Sequence, residues 1–307
     1  MRARRLFLST SLLISSVASN TFLNAQTPVD LAPGTEVLLY KVDSNQENLT
    51  LNLIGNISQA EGYDNQPSFS PDSKSVLFVS ARDGKQMDIY QYQISSKKLL
   101  QLTDTPENEF SPMLERSGKS FTAVREGGEP YQSVHRYAYL PKSKAAKESS
   151  WAVKSQTPIG YYAFNEKGIA VGWARWANSI YIFNPDSQYA TFAIGHALPS
   201  KPLLIPGSAN FSFVHRQADD QAWIKSINPI TRAITPIAPL LDGNIDYNWL
   251  LDGRIVSGKG SELHVWSSKE QKWSKLADLT KDKVFNISRL AASNDGKYLA
   301  IVANVPK

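Results

Sequence analysis

Between residues 63 and 112 the chain alternates short apolar runs with turn residues. The runs PSFS (67–70), SVLFVS (75–80), DIYQYQI (88–94) and LLQLT (99–103) are separated by Pro71-Asp72-Ser73, Asp83-Gly84 and Ser95-Ser96. Runs this short, rich in aromatic and β-branched residues and divided by turn chemistry, predict a four-stranded antiparallel meander. After Thr103 the opening phrase begins again: Glu109-Phe110-Ser111-Pro112 stands where Gln66-Pro67-Ser68-Phe69 stood. The meander is therefore one unit of a repeat.

The turn between the first and second strands of a unit marks the repeat best, because a tight hairpin needs a residue that reaches positive φ. It recurs as Pro71-Asp72-Ser73-Lys74, Arg116-Ser117-Gly118-Lys119, Asn165-Glu166-Lys167-Gly168, Pro206-Gly207-Ser208, Leu251-Asp252-Gly253-Arg254 and Asn294-Asp295-Gly296-Lys297. Register marks at Ser73, Gly118, Gly168, Gly207, Gly253 and Gly296 give intervals of 45, 50, 39, 46 and 43. A strand-like run follows each turn, at 76–80, 121–124, 169–173, 211–215, 255–257 and 298–302, whereas third strands number only five, at 88–94, 133–140, 179–183, 222–227 and 262–267. The missing pair lies at the other end of the chain. Residues 36–42 match 88–94, and 49–53 stand for 99–103, so the N-terminal strands (36–54) complete the blade begun by the C-terminal strands (285–303). The expected fold is all-β: a six-bladed β-propeller of four-stranded antiparallel blades, closed into a ring that leaves only short edges. No apolar stripe of helical period competes with it. We call the closing blade blade one, and the others two to six in chain order.

With the repeat phrase established, the chain resembles the TolB-like six-bladed propellers, within the broader group of WD-like repeats. The resemblance is carried by Asn65-Gln66-Pro67-Ser68-Phe69-Ser70-Pro71-Asp72, Ser80-Ala81-Arg82-Asp83-Gly84, Asp88-Ile89-Tyr90 and Leu102-Thr103, and in blade three by Ser111-Pro112 and Arg116-Ser117-Gly118-Lys119. In blades four to six the turn and strand rhythm carries it. TolB has an α/β domain before its propeller, but only about ten residues separate the expected leader from Glu36 here, so the propeller alone is expected. Physical reasoning assigns most of these motif residues to structure. Asp72 and Asp83 sit where a carboxylate accepts backbone N–H bonds, and Phe69, Phe78 and Tyr90 alternate with polar neighbours as packing residues.

Composition changes the picture at the ends. Arg2, Arg4 and Arg5 precede a weakly apolar stretch interrupted by serines, with small residues following: a secretory signal peptide over residues 1–25, cleaved after Ala18 or Ala25. The rest, 26–307, is read as a single propeller domain. Of 33 Lys+Arg against 28 Asp+Glu, the leader holds three arginines and no acid, so the net charge falls from +5 to 30 − 28 = +2 without it. A nucleic-acid partner would want a concentrated basic face, and none is expected. With no Cys, disulfides, thiolate metal sites, Cys nucleophiles and a lipoprotein anchor are all excluded. A soluble, monomeric periplasmic protein remains, not an integral membrane protein.

In an up-and-down meander, successive loops alternate between two faces. The second-to-third-strand loops and the blade-to-blade loops therefore share a face, which is the expected binding face. It carries Arg82, Arg125, Arg175, Arg216 and Lys259, one cation in each of five blades, with Tyr63, Asp64, Asn65, Tyr161 and Tyr247 from the blade-to-blade loops. Cations and aromatics around a channel suit an acidic protein or peptide segment of the cell envelope, a sugar or another anion, although nearby acids at Asp83, Glu126 and Asp219 compete as ordinary ion-pair partners.

Catalysis is the minority reading. No H-E-x-x-H, G-x-S-x-G or phosphate loop occurs, and His135, His196, His215 and His264 are scattered. No catalytic residue, metal site or cofactor is assigned. The enzymatic alternative is a metal-dependent hydrolase built on Asp64, Glu109, Asp246 and Asn286. A carbohydrate-binding propeller is the other alternative, drawn from seven tryptophans, with Trp173 and Trp176 expected in an exposed loop. Residues 141–150 lengthen a hairpin of blade three on the opposite face and are expected to be mobile.

Overall fold

The computed structural model describes residues 34–44, 49–82, 86–140, 145–217 and 221–305. The leader, the Asp83-Gly84 turn, Asp219 and residues 141–144 fall outside them. The described chain forms six sheets of four antiparallel strands and no α-helix, and the ring closes as expected. Blade one joins Phe285–Ala292 and Tyr298–Asn304 to Glu36–Ser44 and Leu49–Asn56, with Glu36 opposite Ala303 and Lys41 opposite Tyr298. Blade two is Asp64–Phe69, Ser75–Ser80, Asp88–Gln93 and Lys98–Gln101, close to the four runs read from the sequence. Blade three is Glu109–Leu114, Ser120–Glu126, Gln132–Ala138 and Ser149–Trp151. Blade four is Ile159–Phe164, Ala170–Ala174, Ser179–Phe183 and Thr191–Ile194. In blades five and six the inner strand shrinks to two residues, Leu203–Leu204 and Asn248–Trp249.

All six register residues of the first hairpin, Ser73, Gly118, Gly168, Gly207, Gly253 and Gly296, have left-handed φ between 59° and 83°. The sequence rule therefore holds even at the one copy that uses serine. There, Asp72 Oδ1 accepts the Lys74 N–H at 3.2 Å and the Ser70 hydroxyl at 2.7 Å, and Asp295 repeats both contacts in blade one.

The core is divided into six clusters, one at each junction between neighbouring blades. Successive side chains of a strand point to opposite faces of the sheet, so each second strand feeds two clusters. Val76 and Phe78 pack toward blade one with Leu39 and Val302, while Leu77 and Val79 pack toward blade three with Phe121 and Tyr137. The second strand of blade two is consequently buried at every position, which explains its unbroken apolar run. The cluster of blades six and one, with Val256, Leu263, Leu38 and Ile301, closes the circle. No helix among the described residues is long and apolar enough to cross a membrane.

Of the stretch 141–150, residues 141–144 lie outside the described residues, and later ones take part in pairing. Ala146 bridges Thr103 in parallel, its N–H donating to Leu102 O at 2.8 Å, and Ser149–Trp151 forms the outer strand of blade three.

Candidate functional site

The inner strands are bulged where they face the centre. Pairing slips between Asn65 and Ser68, between Phe110 and Met113, between Ile159 and Tyr161, and between Phe285 and Arg289. Gln66, Ser111 and Asn286 adopt left-handed φ of 51–55° at these points. The turned-out groups tie blades together: Gln66 Oε1 accepts the Ser111 N–H at 2.6 Å and its hydroxyl at 3.1 Å. On the far side, Asp246 Oδ2 accepts the Leu290 N–H at 2.9 Å, and Asn248 Nδ2 donates to Leu290 O at 3.1 Å.

Below this girdle lies a cavity of about 1720 Å³, lined from all six blades by residues such as Ser68, Met113, Tyr161, Leu203, Asn248 and Arg289. It extends to the first hairpins of the blades, at Pro71, Arg116, Gly168, Gly207, Leu251 and Asn294, and runs outward beside Trp151 and Tyr189. The cavity therefore lies toward the face opposite the loops chosen from sequence.

Among its charged lining residues, Lys201, Asp246 and Arg289 precede or interrupt the inner strands of blades five, six and one, while Glu115, Arg116, Arg136, Lys154, Glu166, Lys167 and Asp186 line it elsewhere. Arg289 lies 3.8 Å from Asp246, donates to Tyr161 Oη at 2.6 Å, and sits 4.9 Å from the centre of that ring. Burial opposes its charge, but Tyr161, Asp246 and Tyr63 together raise its pKa. Burial pushes the Asp246 carboxyl up to about 6 against the pull of Arg289 and Lys201. The Lys201 ammonium forms no hydrogen bond or ion pair with the described residues. Burial lowers its pKa to about 8, with Asp246 opposing and Arg289 adding to the shift. Two cations against one carboxylate, in a walled cavity, make a site for an anion.

Of the twelve residues expected to bind, only Tyr161 and Tyr247 line this cavity. Tyr247 is buried and donates its hydroxyl to Ser212 Oγ at 2.7 Å. Asp64 and Asn65 are not in a loop: they open the inner strand of blade two and are buried. Tyr63 is half-buried and bridges Thr35; burial pushes its hydroxyl up to about 12. The five cations do occupy equivalent ends of second strands, but most are engaged. Arg82 donates to Ser58 O at 2.7 Å and lies over the Tyr90 ring. Arg125 pairs with Glu107, Arg175 with Glu126 at 3.4 Å, and Lys259 with Asp242 at 3.5 Å; Arg216, though exposed, is engaged as well. Trp176 is exposed as expected, but Trp173 is not. Its indole points toward blade five and donates to Ala197 O at 3.0 Å, because alternation turns it inward on the second strand.

The acids of the enzymatic alternative are not brought together, since no group of three or more His, Cys, Asp or Glu among the described residues is placed to hold a metal ion. Asp64 and Glu109 are fully buried at the first positions of their inner strands, whereas Asp246 faces Arg289. Sequence reasoning missed Lys201 and Arg289. Lys201 precedes an inner strand too short to show as a run, and Arg289 follows a double bulge that alters its facing.

No protein-family model matches the chain, and no curated protein matches it significantly. Solved structures do. One, described as a candidate TolB from Agrobacterium tumefaciens, is 13% identical with a TM-score of 0.64, covering 89% of this chain and 99% of that one. A gluconolactonase from Xanthomonas campestris is 10% identical with a TM-score of 0.60, covering 90% and 96%. TolB from Acinetobacter baumannii is 12% identical with a TM-score of 0.51, covering 88% of this chain and 64% of that one. At these identities the likeness is one of fold alone, a propeller shared by TolB and gluconolactonase structures.

Proposed function

We propose that this chain is an exported, non-catalytic binding propeller whose channel receives an acidic segment of a protein or peptide partner in the cell envelope. The observation that carries this reading is Lys201, whose ammonium has no partner among the described residues and stands with Arg289 on the wall of the cavity. Exposed Trp151, Tyr189 and Leu251 at the margin add apolar contact for the flanks of such a segment. The TolB-like fold favours a scaffolding role, although gluconolactonase shares the fold. Export rests on the basic, then apolar, then small-residue order of residues 1–25, with cleavage after Ala18 or Ala25 and a monomeric product in the periplasm.

Anion binding needs the ammonium form of Lys201. Affinity should be complete below about pH 8 and fall as pH rises through that value. Anisotropy of a fluorescein-labelled hexaglutamate peptide on the full chain tests this. Lys201→Met is expected to weaken binding about tenfold and to remove the pH dependence around 8. Replacing Arg125, Arg175 and Arg216 together by Ala should leave it intact. Binding indifferent to Lys201→Met but lost in the triple variant would move the site to the opposite face.

A further inference from the structure

On the face away from the cavity, two exposed aromatic side chains come from equivalent loops of adjacent blades. Tyr131 precedes the third strand of blade three and is 48% exposed, while Trp176 precedes that of blade four and is 64% exposed. Their ring centres lie 6.4 Å apart with planes 33° from parallel. Neither ring belongs to an inter-blade cluster, so packing does not account for their placement. Trp176 also holds a left-handed φ of 63°, an uncommon conformation for a bulky residue. A tight loop fixes it there, with the Ala177 N–H bonded to Arg175 O at 2.8 Å.

Beside the rings lies a set of planar polar groups. Glu126 accepts from Gln132 Nε2 at 2.8 Å, from Asn108 Nδ2 at 3.1 Å and from Arg175 Nη1 at 3.4 Å. Arg175 also lies 5.3 Å from the Trp176 ring centre, and its remaining N–H groups have no hydrogen-bond partner among the described residues. The buried Gln132 Oε1 is likewise without one.

We propose that Tyr131 and Trp176 form a stacking subsite for a saccharide, with Arg175 and Glu126 as its polar border. A pyranose presents a C–H face that packs on an aromatic ring and equatorial hydroxyls that meet planar side chains at its edge. Aromatic faces next to unspent donors and acceptors fit both halves of that surface. An apolar protein segment would instead want an apolar surround, and here the rings are bordered by a carboxylate and a guanidinium. The subsite is independent of the channel.

The test is binding of the full chain to an array of β-glucan, mannan and N-acetylglucosamine oligomers, with calorimetry on the best-bound oligomer. Trp176→Ala and Tyr131→Ala should each weaken that binding about tenfold, with unchanged melting temperatures. Trp176→Phe should retain most of the affinity, and Lys201→Met should not alter it. Absence of binding across the array overturns the proposal, as does binding insensitive to both alanine variants. Loss of protein-partner capture in Trp176→Ala, without any saccharide affinity, would reassign the rings to a protein contact and also overturn it.

Discussion

Asp64 and Glu109 occupy equivalent first positions of neighbouring inner strands, and both are fully buried. Both Asp64 carboxyl oxygens and Glu109 Oε2 lack hydrogen-bond partners among the described residues. Burial pushes Asp64 up to about 6, and Glu109 up to about 7 against a hydrogen bond from Thr105. An unfolded carboxyl titrates near pH 4, so the fold prefers the protonated acids. Their contribution is complete below about pH 4 and is lost as pH rises through about 6 and 7. Asp64→Asn and Glu109→Gln should therefore raise stability at pH 8, by about 2 kcal/mol each, and flatten its pH dependence between 5 and 8. Urea midpoints measured across that range decide it; variants less stable than the parent at pH 8 would contradict the sign. The acids were visible in the sequence, where they suggested a metal site. Burial at the first position of an inner strand rather than exposure to the channel could not be read there, because it depends on which blade lies alongside.

At the scale of the strand, alternation and turn chemistry were strong enough to place most elements within a residue or two. The second strands were plainest, since two-sided burial demands a continuous apolar run. The inner strands of blades five and six escaped notice because two paired residues leave no periodicity. Blade contacts also depend on missing side chains. A Cβ on Gly258 would stand 2.3 Å from Ile287 Cγ2 and 2.7 Å from its Cβ, where blades six and one meet. Ile287 is β-branched and cannot swing away freely. Gly258→Ala should cost about 1–3 kcal/mol, seen as a lower urea midpoint at unchanged slope. Gln66 ties blades two and three through both of its contacts to Ser111. Gln66→Ala leaves the Ser111 N–H without that acceptor and should cost about 1–3 kcal/mol, measured in the same way.

For the molecule as a whole, the decisive join is between Glu36–Ser44 and Tyr298–Asn304, which are strands from opposite ends of the chain. Without it, Phe285–Ala292 and Glu36–Ser44 would both present unpaired edges, and the clusters flanking blade one would lose Leu299, Ile301, Ala300 and Val302. Deleting residues 298–307 should abolish cooperative thermal unfolding and drive association, read by calorimetry and gel filtration. A monomer with a sharp transition would show that ring closure is not needed.

The sequence by itself determined the repeat, the blade count, the antiparallel order and the closure of the ring, because each depends on local turn chemistry and two-residue alternation. Tertiary structure alone decided where the charges went. Whether Arg125 faces solvent or Glu107, whether Trp173 is a loop residue or a core residue, and whether Lys201 is left unpaired are set by neighbours tens of residues away. Alternation tells a side chain which face of its own strand to take, but only the adjoining blade determines whether that face meets packing, an ion pair or an open cavity.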